Sequence, residues 1–337
     1  MKYIFLSSLI FLLSCTRRAE VTVGEVKHQE HQSSVRGLYQ WNEQVIWASG
    51  TKGVIQHLND QKEWEHVQLE GFKDFDFRDI QVLNEKEVII MSSGEGCAIY
   101  KTFDAAGSWR LVYINEDPSA FYDGLDFWDE LNGIAFGDPV GGKWQLLRTQ
   151  DGGNTWQELH PETLPGNLTG EAAFAASGTS IQCIGTSTVV IGSGGGERSR
   201  LFVSQDRGDH WEVYDTPMRS GEASGIYSLF FSDEDHGVVV GGNYLDSTST
   251  EGNCAYTSDG GKTWQLADQP PHGYRSCVTQ NQDGLLVSCG RTGVDVSHDQ
   301  GKTWQLVSEA GFYAGVLGKE QGWLLGRNGK YAQITLK

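Results

Sequence analysis

Several residue classes that would announce a function are missing or scarce. No Cys-x-x-Cys pair occurs, and the 9 histidines are scattered, so a zinc centre of the usual spacing is excluded. Helical periodicity is scarce, which argues against a helical or α/β fold. Basic residues are outnumbered, 26 Lys and Arg against 44 Asp and Glu, a formal net charge of −18. A surface of that sign repels polyphosphate, so nucleic acid and anionic membrane faces are excluded as partners. Beyond the extreme N-terminus no apolar run is long enough to cross a bilayer. Gly192-Ser-Gly-Gly-Gly196 follows a strand but leads into another strand. Without a helix N-terminus it holds no pyrophosphate.

Turn formers and large aromatics are abundant: 43 Gly and 11 Trp in 337 residues, which points to an all-β chain with many turns. Thr257-Ser-Asp-Gly-Gly-Lys-Thr-Trp264 has near-copies at 149–156, 204–211 and 297–304, a worn copy at 102–109, and a remnant at Lys62-Glu-Trp64. The tryptophans at 64, 109, 156, 211, 264 and 304 are spaced by 45, 47, 55, 53 and 40 residues, a repeat-architecture period. Within each copy the Asp caps a turn, Gly supplies positive φ and Trp buries a large apolar surface beside them. Because the same residues recur in every copy, they read as turn chemistry and not as a catalytic or calcium-binding set.

This pattern resembles the Asp-box, or BNR, repeat of sialidases, sortilin-type receptors and photosystem II stability/assembly factor-like proteins. Seven units follow, at 35–69, 72–114, 119–160, 170–215, 222–268, 273–308 and 312–337. Each reads as an inner strand, a buried apolar strand ending in Gly, then an Asp-box hairpin, which the seventh unit lacks. The predicted fold is all-β: a seven-bladed β-propeller of four-stranded blades. The last unit is one strand short, and residues around Val21–Lys27 are expected to close it, since a ring protects its edges only when complete. Phe77-Arg-Asp-Ile80, Gly133-Ile-Ala-Phe-Gly-Asp-Pro139, Ala175-Ala-Ser-Gly-Thr179 and Gly273-Tyr-Arg-Ser276 look like the bacterial photosystem II stability/assembly factor-like group. That resemblance implies a propeller used in binding or assembly, without chemistry or cofactor of its own.

Residues 1–15 read as a lipoprotein signal peptide. Lys2 is followed by an apolar run and by Leu12-Leu-Ser-Cys15, which resembles a bacterial lipobox with Cys15 as the lipidation site. Residues 16–34 read as a tether and 35–337 as one propeller domain. The chain is expected to be exported, anchored by lipid only, periplasm-facing and monomeric. Cys277 and Cys289 lie symmetrically about a turn near Asp283 and are expected to form a disulfide across a hairpin.

Propeller ligands meet the channel mouth. Counting back from the end of each second strand places Arg36, Arg78 with Asp79, Tyr122 with Asp123, Ser180, Ser224, Arg275 and Tyr313 there, with Glu171 in a longer incoming loop. The ligand set is Arg36, Arg78, Asp79, Asp123, Glu171, Arg275 and Tyr313, suited to a carboxylate-bearing protein partner or to a glycan. The same set resembles a sialidase centre, with Tyr313 as nucleophile, Glu171 as its helper and Asp123 or Asp79 as acid. The Arg-Ile-Pro motif of sialidases is absent. Chain 243–253 is a long polar insert fit for contacts.

Overall fold

The structure, a computed structural model, describes residues 19–67, 71–94 and 96–337. The expected lipidation site, Cys15, lies outside them. Seven antiparallel sheets follow one another along the chain, and no helix occurs among the described residues. The first strands of successive blades, beginning with Val35–Gln40, Phe77–Val82 and Tyr122–Phe127, neighbour one another around the ring and line a central channel. The seventh blade takes only three strands from the C-terminus. Its fourth comes from the N-terminus, where Val21–Val23 pairs with Lys330–Leu336 (Val21 opposite Leu336, Val23 opposite Ile334) and Lys27–His28 continues the edge. The ring is thus shut by main-chain hydrogen bonds between the two ends of the chain, as expected from the missing strand.

The core is divided among the blade interfaces. Ile134, Phe136, Trp144 and Leu146 of blade 3 meet Ile181, Val189, Phe202 and Trp211 of blade 4, and the other interfaces repeat the arrangement. Each Asp box is the hairpin between the third and fourth strands. In the blade 5 copy Asp259 Oδ1 accepts the Thr257 hydroxyl (2.8 Å) and the Thr263 N–H (2.9 Å), Oδ2 accepts the Thr263 hydroxyl (2.6 Å), and Gly261 N–H donates to Thr257 Oγ1 (3.1 Å). The copies around Asp104, Asp151, Asp206 and Asp299 make the same set. Two successive residues at each tip have positive φ, such as Gly260 and Gly261 at 74° and 83°. The second is pressed against the preceding blade, so a side chain at Gly261 would run into Leu201. That is why Gly is held there in four copies. The worn copy puts Ala106 in this place at φ 72°, left-handed despite its Cβ.

Candidate functional site

The first strands of blades 1, 2, 3 and 5 each carry a β-bulge near their start, between Val35 and Gly37, Phe77 and Asp79, Tyr122 and Gly124, and Ile226 and Ser228. The extra residues are Arg36, Arg78, Asp123 and Tyr227. A bulge redirects the side chain it inserts, and here those side chains gather at the upper mouth of the channel. Arg36 lies over the Tyr313 ring, 4.8 Å from its centroid. Its buried Nε has no hydrogen-bond partner. Arg78 pairs with Asp76 (2.7 Å), donates to the Ala175 carbonyl and lies 5.4 Å from the Phe121 centroid. Burial lowers its pKa, opposed by Asp76, while the nearby Arg36 charge lowers it further. Asp123 is fully buried with one oxygen unpartnered. Burial and Asp138 push its carboxyl well above the usual range, and Arg78 pulls the other way.

The channel does not run open from end to end. The loop leading into blade 4 crosses it. Phe174 stacks on Tyr227 (centroids 3.9 Å apart, planes at 9°), and Tyr227 meets Tyr274 edge-on at 4.7 Å. Ser177 donates to the Ser276 carbonyl (2.7 Å), and Thr179 shares a hydrogen bond with Ser228 (2.6 Å). On the other side Gly178 sits at φ 76° against the Asp79 carboxylate, where any Cβ would collide. Residues 174–179 thus touch blades 2, 5 and 6 and form a plug. Above it is a bowl floored by Phe174, Tyr227 and Tyr274 and rimmed by Arg36, Arg78 and Tyr313. Arg291, held by the Tyr244 carbonyl (2.9 Å), stands near Tyr274 on the same side. Below the plug is a separate cavity.

Three of the expected ligand residues are spent inside the fold. Glu171 is buried and bonded by Arg200, by the Ser193 hydroxyl (2.6 Å) and by the Leu168 N–H (2.8 Å). Arg275 is wholly buried and paired with Asp295, and it also donates to the Tyr274 and His272 carbonyls and to Thr292. Asp79 accepts the N–H groups of Ile80 (2.8 Å) and of Leu125 in the next blade (2.7 Å). A carboxylate or guanidinium that must be buried is stable only when its hydrogen-bonding capacity is met, and these are met by protein. The nucleophile–helper–acid trio is therefore not assembled as a unit, because Glu171 is committed to Arg200. Ser224 is buried away from the bowl, and its blade contributes Tyr227 instead. Asp76, one residue before the Phe77–Val82 strand, is the ion-pair partner of Arg78. Counting had no means of finding Tyr227 or the plug aromatics: a bulge moves a side chain without changing the residue count.

Cys277 and Cys289 are direct cross-strand partners, both buried, with their thiols hydrogen-bonded and free. No group of three or more His, Cys, Asp or Glu able to hold a metal ion occurs among the described residues.

The BNR/Asp-box repeat model matches residues 255–266 and 295–306. The chain is a β-propeller that carries Asp-box repeats. Similar solved structures include YCF48 bound to D1 peptide (TM-score 0.65, 15% identity, covering 92% of this chain and 96% of that one). YCF48 from Cyanidioschyzon merolae gives 0.64 and 16%, covering 92% and 98%. The WD40 beta propeller domain of Doa1 gives 0.64 and 11%, covering 94% and 97%. No curated protein sequence matches the chain. At these identities the likeness establishes the shared propeller fold.

Proposed function

We propose that this propeller is a non-catalytic binding or assembly factor that seats a segment of a protein partner in the upper bowl. The observation that carries this reading is the bulge-presented pair Arg36 and Arg78 above the aromatic floor. Arg36 has buried, unspent donor capacity and is stacked on Tyr313, so it is held ready for an acceptor. Aromatic faces with a guanidinium rim make a hot-spot composition for a protein segment carrying a carboxylate. The structure of YCF48 with a D1 peptide, a propeller of similar shape, supports a peptide-binding use. The lipobox at Cys15 supports an exported, lipid-anchored, periplasm-facing protein, and the acidic surface suits a monomer.

The test is cross-linking and co-purification of the full chain from its own envelope fraction, beside the Arg36→Ala/Arg78→Ala double variant. The expected result is a defined partner captured by the parent protein and lost in the double variant, with thermal midpoints within a few degrees. Identical capture by both proteins would overturn the bowl as the partner site.

A further inference from the structure

The cavity below the plug is a second concavity, distinct from the bowl. It measures about 650 Å³, within the roughly 300–1,000 Å³ range of small-ligand sites. Ser177, Gly178 and Thr179 of the plug close its inner end, and the hairpins joining first to second strands form its rim. Its lining differs from the bowl in kind. No Lys, Arg or His faces it, and five glutamines do: Gln40, Gln81, Gln182, Gln280 and Gln282. Aromatic faces come from Tyr39, Phe127 and Phe230, with the exposed Trp41 at the rim.

The charged groups in this lining are already occupied. Asp79 and Asp126 each accept two backbone N–H groups, and Glu43 accepts the Lys319 N–H (2.7 Å). An anion therefore finds no cation here, and each carboxylate already accepts at least one backbone N–H. A peptide strand finds little open ladder: the inner-edge N–H groups of Leu125, Cys183, Phe231 and Val278 are all bonded to side chains of the preceding blade. Amide capacity is only partly spent: Gln182 exchanges two hydrogen bonds with Phe231, and Gln280 Nε2 donates to the Gly284 carbonyl (3.4 Å). Gln40 Oε1 is buried without a partner. A primary amide offers donor and acceptor side by side, matching a pair of vicinal hydroxyls, while an aromatic face covers the apolar side of a sugar ring.

We infer that the lower cavity is a binding site for the end of a neutral glycan, held by Gln40, Gln280 and Gln282 and stacked on Tyr39 and Trp41. This does not depend on the bowl's role, because the two concavities are separated by residues 174–179.

The experiment is isothermal titration of the full chain with three neutral trisaccharides (maltotriose, cellotriose and triacetylchitotriose), with sialyllactose and a neutral tripeptide alongside. The expected result is saturable heat with at least one neutral trisaccharide. That binding should weaken about tenfold or more in Gln40→Ala/Gln280→Ala and vanish in Gln282→Trp, which fills the mouth from an exposed position. Thermal midpoints should be unchanged, and Arg36→Ala/Arg78→Ala should bind as the parent does. Absence of saturable heat with all three sugars, binding that survives the glutamine variants, or a response only to sialyllactose or only to the tripeptide would overturn it.

Discussion

The outer hairpins and the inner seams of this propeller solve one problem in two ways. Both leave main-chain N–H groups that no ladder satisfies, and both satisfy them largely with short polar side chains. On the outside, five hairpins use the same Ser/Thr–Asp–Ser/Thr/His arrangement. On the inside the device varies around the ring. Asp79 reaches Leu125, Asp126 reaches Cys183 (2.7 Å), and Gln182 exchanges two hydrogen bonds with Phe231. Ser228 accepts from Val278 (2.9 Å), and Ser276 donates to the Tyr313 carbonyl (2.8 Å). The hairpins see the same surroundings in every blade, so one solution can be copied. The seams surround a plug that touches blades 2, 5 and 6 unequally, so each seam has its own geometry. The surfaces proposed to bind ligands lie on the unequal side.

Substitutions can break this contrast in order of expected size. Arg275→Ala should cost most, about 3–5 kcal/mol, because it leaves Asp295 buried without its cation. Chemical denaturation measures it, and a loss under about 1 kcal/mol would show that Arg275 is not the structural member described above. Gly178→Ala should follow at about 1–3 kcal/mol, since the new Cβ meets the Asp79 carboxylate from a left-handed backbone. Its readout is a lower thermal midpoint together with altered ligand behaviour at both concavities. Asp259→Ala should cost about 1–2 kcal/mol by freeing one hairpin, with the other boxes intact. Arg36→Ala should cost under about 1 kcal/mol, because only its stacking on Tyr313 is lost, while partner capture falls sharply.

The pH dependence separates the two regions by sign. In the box around Asp259, burial raises the carboxyl, but the Thr263 hydroxyl and N–H and the Thr257 hydroxyl together more than offset it, so its pKa is depressed. Its contribution is present above the ordinary carboxylate range and is lost as pH falls through the depressed value. Inside, burial pushes Asp126 and Asp138 up to about 6. Their contribution is complete below the ordinary carboxylate value and is lost as pH rises through about 6. Thermal midpoints recorded against pH should therefore peak on the acid side of neutrality. Asp138→Asn, which keeps an acceptor for the Ala173 N–H (2.9 Å), should flatten the alkaline limb while leaving the acid limb in place. An unchanged alkaline limb would remove Asp138 from that role.

Much of the architecture was legible from residues. The tryptophan spacing marked the blades, the Asp and Gly positions marked the hairpins, and the missing last strand pointed to residues around Val21–Lys27 as the closure, which Val21–Val23 and Lys27–His28 supply. The site was legible only in part. Arg36, Arg78, Asp123 and Tyr313 do converge on one mouth, whereas Asp79, Glu171 and Arg275 turn into the blades. Position along a strand fixes where a Cα lies, but the direction of its side chain depends on bulges and on whichever partner lies nearest in space. Arg275 and Arg78 occupy like places in Tyr-Arg-Ser and Phe-Arg-Asp, yet Asp295 draws one inward and Asp76 holds the other at the rim.

Local turn chemistry and a repeating apolar pattern determined the fold of this protein from its sequence, because those interactions span only a few residues and recur. Tertiary structure alone decided that the channel is plugged, that a separate cavity lies below the plug, and which charged side chains are tied up inside the fold. Those outcomes rest on contacts between residues about a hundred positions apart, such as Ser177 with Ser276 and Arg78 with Ala175, which no local pattern encodes.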